Sequence, residues 1–308
     1  MRSGIRLVLR GSTLSAPRST HLFISTLLAS GIAICAIGLY QFATGDVILA
    51  DGVARIYAVW GSPNNVGLYL GRLLPITLAF ALLLRTQRRA RWVYATLTVL
   101  FALVIFLTYS RGALFLGAPA SVLFLLAVLF TQEHKLSRRG WLAVGSAIGL
   151  GAALLVFVLA ARGGDLFQEG TGTGFFRVAV WTSAVQMIRD HPLLGVGLDN
   201  FLYEYPKYIL PDAWREPNLS HPHNILLDFW VQLGIGGILL GVWLLVAFFR
   251  RAWNSFKTTS DLYTRALMLG LMASMVDLLA HGLIDEAYFV MDLAYIFMLT
   301  LALAQMRD

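Results

Sequence analysis

The sequence has little charge and almost no cysteine. Charged residues make up 13% of its 308 residues, whereas hydrophobic residues make up 58%. Soluble domains typically carry about 25% charged residues, so this composition excludes an ordinary soluble globule. The single cysteine, Cys35, lies inside an apolar run, which excludes a disulfide framework and a metal site built from cysteines.

Long hydrophobic runs dominate the sequence instead. Eight of them come close to the roughly 20 residues that a helix needs to cross a bilayer core. They cover residues 21–43, 64–84, 92–110, 113–130, 141–161, 224–249, 264–284 and 287–305. We therefore predict an all-α, polytopic integral membrane protein with about eight transmembrane helices, forming a single domain over residues 1–308.

The basic residues predict how these spans are oriented. Although the net charge is +7, the placement of the charge favours membrane topology over nucleic-acid binding. Arginines and lysines cluster before the first span and in every second connection thereafter, at residues 2–18, 85–91, 135–139 and 250–257. By the positive-inside rule, these segments and both termini are cytoplasmic. The opposite face then receives the loop 44–63, the turn 110–112, the long loop 162–223 and the turn 285–286.

The long loop contains a predicted helix. Within residues 175–190, Val178, Trp181, Val185 and Ile188 recur at helical spacing, which favours an amphipathic helix at the outer membrane–water interface. It ends before Pro192, as helices usually do. Five aromatic residues follow, and they suit either an interfacial belt or a surface on which sugars stack. They are Phe201, Tyr203, Tyr205, Tyr208 and Trp214.

Three residues on this outer face are candidates for chemistry: Arg111, Arg177 and His223. Each alone has an ordinary interpretation. Arg111 resembles a snorkelling arginine at a helix end, Arg177 an interfacial cation, and His223 a loop histidine bonded to the backbone. Taken together, two guanidinium groups suit a diphosphate, and histidine exchanges protons near neutral pH.

Other polar residues in or near the spans have a simpler structural interpretation. Asn64 and Asn65 follow Pro63 and favour a helix cap or turn. His281 and Asp285 are four residues apart, so they are predicted to share a helix face as a structural pair, with a proton relay or a second contact to the acceptor as the alternatives. Asp228 is predicted to face the bundle interior. The glycines at 234, 237 and 241 indicate close helix packing.

Several motifs together resemble a known family. His223-Asn224 is followed by nine residues and then by the glycines of the segment 234–237. This pattern resembles the signature of the bacterial O-antigen ligase and polymerase superfamily, although Ile238 stands where the family often has Thr or Val. Tyr109-Ser-Arg-Gly-Ala113, the Arg177-to-Gly197 segment and Ser62-Pro-Asn-Asn65 agree with it. The resemblance covers roughly residues 30–300.

The resemblance implies an inverting, metal-independent glycosyltransferase that needs no cofactor. Such enzymes move a glycan from undecaprenyl diphosphate to an acceptor hydroxyl on a lipid or glycan, at the outer face of the bacterial cytoplasmic membrane. His223 would be the general base, Arg111 and Arg177 would hold the donor diphosphate, and Asn224 would contact substrate. Because members of this family have more spans, the chain is expected to be short at its N-terminus relative to them.

Two alternatives from other classes remain open. A transporter or flippase for polysaccharide lipid intermediates predicts ionisable residues deep in the spans. A non-catalytic scaffold for polysaccharide assembly predicts tolerance to the loss of His223 and both arginines. The sequence does not separate a ligase from a polymerase or a protein O-glycosylating enzyme. It also leaves open the sugar, the acceptor and the oligomeric state.

Overall fold

A computed structural model describes residues 16–50, 52–132, 173–211 and 218–305, together with the single positions 145 and 149. The predicted span at 141–161 lies outside these ranges, apart from those two positions. Most of the described chain is helical, which confirms the all-α polytopic membrane class. The only strands among the described residues form a two-stranded antiparallel hairpin inside the loop 44–63, where the sequence predicted only a loop.

The elements follow one another in this order along the described chain. They are α1 (Ala16–Thr44), β1 (Ile48–Ala50), β2 (Val53–Arg55), α2 (Pro63–Leu83), α3 (Arg88–Thr108), a π-helical turn (Ala113–Gly117) continuing into α4 (Ala118–Gln132), α5 (Thr173–Asp190), the short α6 (Phe201–Glu204) with a 3-10 turn (Tyr205–Lys207), α7 (Ile225–Thr258), α8 (Leu262–Gly282) and α9 (Met291–Gln305).

Six of these helical segments are long and apolar enough to cross a membrane. They are Thr20–Thr44, Pro63–Leu83, Arg88–Thr108, Ala113–Gln132, Ile225–Thr258 and Leu262–Gly282. The predicted span 287–305 is a shorter apolar helix, Met291–Gln305, because residues 287–290 belong to the connection after α8 and do not form the first turn of the helix. Eight spans therefore remain a prediction.

Side-chain caps set where several helices begin. Ser62 caps α2 by accepting a hydrogen bond from the Asn64 backbone amide at 3.3 Å, with Pro63 at the first helical position. Asp261 caps α8 by accepting from the Thr264 amide at 2.8 Å. The predicted cap or turn at residues 62–65 is thus confirmed, with Ser62 as the capping residue.

Helix ends that the basic clusters assigned to the same side of the membrane lie together at the same end of the helix bundle. At one end, the His21 and Tyr263 ring centroids are 4.0 Å apart, and those of Phe80 and Tyr94 are 4.6 Å apart. These contacts join the starts of α1, α3 and α8 to the end of α2. At the other end, Arg55 Nε donates to the Thr108 carbonyl at 2.8 Å, next to the turn at 110–112.

The predicted helix exists as α5, and it also has an apolar face that packs inside the protein, whereas its place at the membrane–water interface stays a prediction. Val180, Ala184 and Met187 are buried, whereas Val178 and Val185 are exposed. The reason is that α5 packs against α6 and α7 in a second, smaller core. Its apolar residues surround much of the helix, so spacing alone was compatible with either face.

Two of the aromatic residues after α5 serve this second core. Phe201 and Tyr205 are fully buried and stack with ring centroids 5.3 Å apart. The prediction of a belt or sugar-stacking surface is therefore wrong for these two. Tyr203 is exposed, and residue 214 lies outside the described ranges.

Candidate functional site

His223 sits at the entry to α7 in an unusual backbone conformation. Its φ is +51°, in the left-handed region that costs an L-residue roughly 1–2 kcal/mol. Strain of this kind persists where surrounding contacts impose it, and it clusters at functional sites. Here the next residue supplies those contacts. The Asn224 side chain caps α7 by accepting from the Leu226 and Leu227 amides at 3.0 and 3.1 Å, and donates to the Leu283 carbonyl at 2.9 Å.

Asp285 is the residue on which the site converges. Its Oδ1 lies 3.2 Å from His223 Nδ1, and its Oδ2 lies 3.9 Å from Arg177 Nη2. The Glu286 backbone amide also donates to Oδ1 at 2.9 Å. Two of the predicted site residues, Arg177 and His223, are thus brought together by one buried carboxylate from the loop after α8.

The electrostatics of Asp285 favour its charged form. Burial alone would raise the pKa of this carboxyl group. The hydrogen bond to His223 and the charges of His223, His281 and Arg177 outweigh it and lower the pKa of Asp285 below its usual range. Asp285 is therefore a carboxylate at neutral pH and acts as a fixed negative acceptor for His223.

A second histidine and carboxyl group extend the cluster. His221 Nε2 lies 3.2 Å from His223 Nδ1, and His221 Nδ1 lies 3.0 Å from Glu286 Oε2. Burial, helped by the neighbouring charge of His223, lowers the pKa of His221 to about 4. His221 is therefore neutral at pH 7, and its contact with Glu286 is a hydrogen bond rather than an ion pair.

Glu286 is buried beside two other acidic groups. Burial raises its pKa well above the ordinary value, and the negative charges of Asp228 and Asp285 raise it further. Asp228 is buried, as predicted, and accepts from Gln232 Nε2 at 2.7 Å. The site thus contains one carboxyl group held charged and one that favours its neutral form.

Arg111 lies in the same end of the bundle, on the turn that leads into α4. Both of its chain neighbours meet His281, which is fully buried one turn before Asp285. Ser110 Oγ is 3.4 Å from His281 Nε2, and a side chain added at Gly112 would overlap the His281 ring. The backbone of Arg111 is therefore packed against the end of α8, and its side chain is half-buried.

A break in α7 holds the Arg177-bearing helix in place. Gly234 has φ +65°, and a side chain there would overlap the carbonyl of Leu193. The break frees the Val231 and Gln232 carbonyls, which accept from the amides of Val196 and Gly197 at 2.7 and 3.1 Å. This loop follows α5 directly. Gly234 therefore lets the backbone of the loop after α5 approach α7 closely, whereas the sequence predicted that this glycine allows close packing between helices.

Two charged residues lie deeper in the bundle, where the sequence analysis did not consider them. Arg72 on α2 and Asp277 on α8 are essentially inaccessible to solvent. Arg72 donates to the backbone carbonyls of Leu293, at 2.6 Å, and Ala287. It thereby anchors both ends of the segment that follows Asp285 and Glu286. An arginine inside an apolar run was the available signal.

An apolar groove opens next to the cluster. The space between α7, α8 and α9 amounts to about 480 Å³ when the part that is open to the surroundings is included. Two of its lining residues, Ile225 and Leu226, directly follow His223 and Asn224 in the sequence. The remaining lining comes from Phe229, Ile238, Gly241, Val242, Leu245, Leu278, Leu279, Tyr288 and Phe297. The groove presents a hydrocarbon-like surface beside a strongly polar site.

Arg177 and His223, which meet in the structure, were thus predicted as site residues, whereas their partners His221, Asp285 and Glu286 were not. His221 and Glu286 were not considered, and Asp285 was treated as a structural partner of His281. In fact α8 ends at Gly282, so Asp285 lies in a turn rather than on a shared helix face. The spacing of His221 and His223 around a proline, and the adjacent acids at 285–286, were the signals that could have found them.

Fold and site together define a multi-pass membrane protein with a histidine–carboxylate–arginine cluster at one end of its helix bundle. The family model described as O-antigen ligase matches residues 96–242, and this part of the chain is similar to that family. An O-antigen ligase of Pseudomonas aeruginosa is 30% identical over 136 residues, which cover 44% of this chain and 31% of the relative. The match therefore spans less than a third of that relative. The residues matched by the family model include Arg111, Arg177 and His223 and end before Asp285.

Proposed function

We propose that this protein is a glycosyltransferase that moves a glycan from an undecaprenyl-diphosphate donor to an acceptor hydroxyl. The reaction inverts the anomeric carbon, needs no metal, and takes place at the outer face of the bacterial cytoplasmic membrane, with both termini in the cytoplasm. The observation that carries the proposal is the contact of Asp285 with both His223 and Arg177, at 3.2 and 3.9 Å.

In this mechanism His223 acts as the general base. Asp285 accepts the hydrogen bond from His223 Nδ1–H, which leaves Nε2 with a free lone pair. Nε2 takes the proton of the acceptor hydroxyl while the acceptor oxygen forms its bond to the anomeric carbon. The bond from that carbon to the diphosphate breaks, and its electron pair leaves with undecaprenyl diphosphate. A positioned base of this kind contributes typically 10²–10⁴-fold.

The two arginines stabilise the leaving group. Negative charge builds on the diphosphate as its bond to the sugar breaks, and preorganised cations lower the energy of that state. Arg177 is half-buried beside Asp285, and Arg111 is carried by a turn packed on the same end of α8. We assign both side chains to the face that would meet the donor. Asn224 acts first by capping α7 behind His223, and a direct contact of its side chain with substrate stays a prediction.

The groove between α7, α8 and α9 supports a donor with a long apolar tail. Its lining is almost entirely apolar, and it starts two residues from His223. An isoprenoid chain placed there would be shielded from water while its diphosphate reaches the arginines. We therefore assign the groove to the lipid part of the donor.

One observation favours the transporter alternative, because Arg72 and Asp277 lie deep within spans. Ionisable residues inside the membrane often mark transport pathways. However, the Arg72 guanidinium donates hydrogen bonds to the carbonyls of Ala287 and Leu293, so it holds the loop that contains Asp285 in place. This architectural use favours the glycosyltransferase.

The decisive experiment is a reconstituted transfer assay. Purified protein is incubated with undecaprenyl-diphosphate glycan and candidate lipid, glycan and protein acceptors, and the product is identified by mass spectrometry. We expect His223→Ala and Arg177→Ala to abolish transfer without reducing protein abundance in the membrane. The matched controls are His191→Ala and Arg189→Ala, since both residues are exposed and lie outside the cluster. Full transfer by His223→Ala would refute the role of the base and leave the scaffold alternative.

A further inference from the structure

Three potential metal ligands face one another around the candidate base. They belong to His221, His223 and Asp285, each of which offers one ligand atom, and these atoms all lie within 4.8 Å of one another. His223 Nδ1 is 3.2 Å from His221 Nε2 and 3.2 Å from Asp285 Oδ1. Two ligands placed about 2.0–2.1 Å from a tetrahedral zinc ion are themselves about 3.3–3.4 Å apart. The spacing in this cluster is close to an edge of that tetrahedron.

The residue behind His221 matches a metal site as well. Metal-binding histidines usually donate their other ring N–H to a carboxylate, which fixes the ring and its tautomer. Glu286 Oε2 lies 3.0 Å from His221 Nδ1, which is the ring nitrogen that does not face the cluster. The Asp285 oxygens are divided in the same way, because Oδ1 faces the histidines while Oδ2 faces Arg177. The arginine therefore does not compete for the oxygen that would bind a cation.

We propose that a zinc-like divalent transition metal ion binds to His221, His223 and Asp285 and inhibits the protein. Two imidazoles and one carboxylate form the donor set of many three-ligand zinc sites, with a fourth position open to solvent. The proposal adds a regulatory ligand to the site, and it assigns no catalytic role to the metal.

The inhibition has a direct chemical cause. A neutral imidazole carries one proton, so a metal bound at Nδ1 of His223 leaves the proton on Nε2. Nε2 then has no lone pair with which to accept the hydroxyl proton. The metal also removes the Asp285 contact that orients His223. Binding of the metal does not depend on the proposed function, whereas its inhibitory effect rests on it.

Binding is tested on the full-length protein in detergent, purified without a polyhistidine tag, which would itself bind metal. Co²⁺ reports coordination through the intense visible absorption of tetrahedral sites, and Zn²⁺ should displace it at one equivalent. We expect His221→Gln and Asp285→Asn to abolish this spectrum. Glu286→Gln should keep it but weaken binding by about 10–100-fold, as loss of a carboxylate behind a ligand does. His191→Gln is the control and should bind like the wild type.

Inhibition is tested separately on the wild-type protein alone. Stoichiometric Zn²⁺ should stop transfer, and EDTA should restore it. The proposal is overturned if the wild type shows no tetrahedral Co²⁺ spectrum, if His221→Gln retains it, or if a zinc-loaded wild type transfers normally. A protein that binds Co²⁺ as described but transfers no glycan under any condition would contradict the proposed function and leave the metal site standing.

Discussion

Asp285 Oδ1 lies 3.2 Å from His223 Nδ1, although 62 residues separate them in the sequence. The contact joins the loop after α8 to the residue that precedes α7. It depends on two backbone devices, the left-handed conformation of His223 and the bond from Asn224 to the Leu283 carbonyl. The candidate base is thus held by the same contacts that lock two helix ends together.

The first prediction concerns Asp285 as the residue that positions His223. Asp285→Asn preserves size but removes the charge that holds Nδ1–H of His223. Within the proposed function, we expect kcat to fall by about 10²-fold or more, because the loss of orientation reduces the contribution of a general base. The KM for the lipid-linked donor should change much less, since Asp285 does not bind the donor.

The measurement is a steady-state comparison of Asp285→Asn and Asp285→Glu with the wild type. Partial recovery by the glutamate variant would support positioning by a carboxylate. An Asp285→Asn protein with a wild-type kcat would show that His223 needs no such partner. A loss confined to KM would instead place Asp285 against the donor.

The sequence was sufficient for the membrane class and for most helix positions, because apolar length and basic clusters report local physical constraints. The end of α8 is a place where these constraints did not predict the structure. An apolar pattern continued through residues 283–284 and again from 287, but the chain turns there and buries Asp285 and Glu286. Hydropathy does not report such a turn, since its cause is the distant Arg72.

Site residues that belong to a sequence motif could be predicted. Site residues that come together only when the chain folds could not. His223 and Arg177 belong to recognisable patterns, so they could be selected from the sequence. His221 and Glu286 carry no such pattern, and their importance comes from a 3.0 Å contact between residues 65 positions apart. The internal apolar face of α5 was not predicted for a related reason, because its partners α6 and α7 decide which apolar residues are covered inside the protein.

The second prediction concerns the buried charges Arg72 and Asp277. Each is surrounded by apolar residues, and neither Asp277 oxygen has a hydrogen-bond partner among the described residues. The two charges interact, although no direct ion pair joins them among the described residues. The 3–5 kcal/mol that is typical for breaking a buried ion pair is therefore an upper bound for the loss of either residue. We expect Arg72→Leu and Asp277→Leu each to lower the unfolding temperature markedly.

A double-mutant cycle checks this coupling. If Arg72 and Asp277 compensate each other, the double variant should be more stable than the sum of the two single effects predicts. Thermal unfolding in detergent is the measurement. Strict additivity would show that Arg72 matters only through its bonds to the Ala287 and Leu293 carbonyls.

The third prediction concerns the pH dependence of stability at Glu286. Its pKa is raised in the folded protein, so the native state keeps a proton that the unfolded state releases above its ordinary pKa of about 4.3. Stability is therefore lost through this group as the pH rises from that value towards the raised native pKa. Glu286→Gln is neutral at every pH and removes the loss.

We accordingly expect Glu286→Gln to stabilise the protein relative to the wild type, by more at pH 8 than at pH 5. The lowered pKa of His221 gives a slope of opposite sign between about pH 6.5 and 4, but it contributes to both proteins and largely cancels in their difference. Unfolding temperatures measured across this range provide the check. A difference that stays constant from pH 5 to pH 8 would mean that Glu286 titrates normally.

The fourth prediction uses two glycines of α7 that differ in their surroundings. At Gly234 the φ is +65°, and an added methyl group would overlap the Leu193 carbonyl. At Gly241 the φ is not positive, and an added methyl group would meet Phe229 at an ordinary 3.7 Å. We expect Gly234→Ala to lower both the unfolding temperature and transfer, because it displaces the loop that follows the Arg177 helix.

Gly241→Ala is the matched control. It should leave the unfolding temperature near wild type or raise it slightly, since alanine favours a helix over glycine by about 1 kcal/mol. Equal effects of the two substitutions would show that these glycines serve helix packing in general, and that the break in α7 does not position the site.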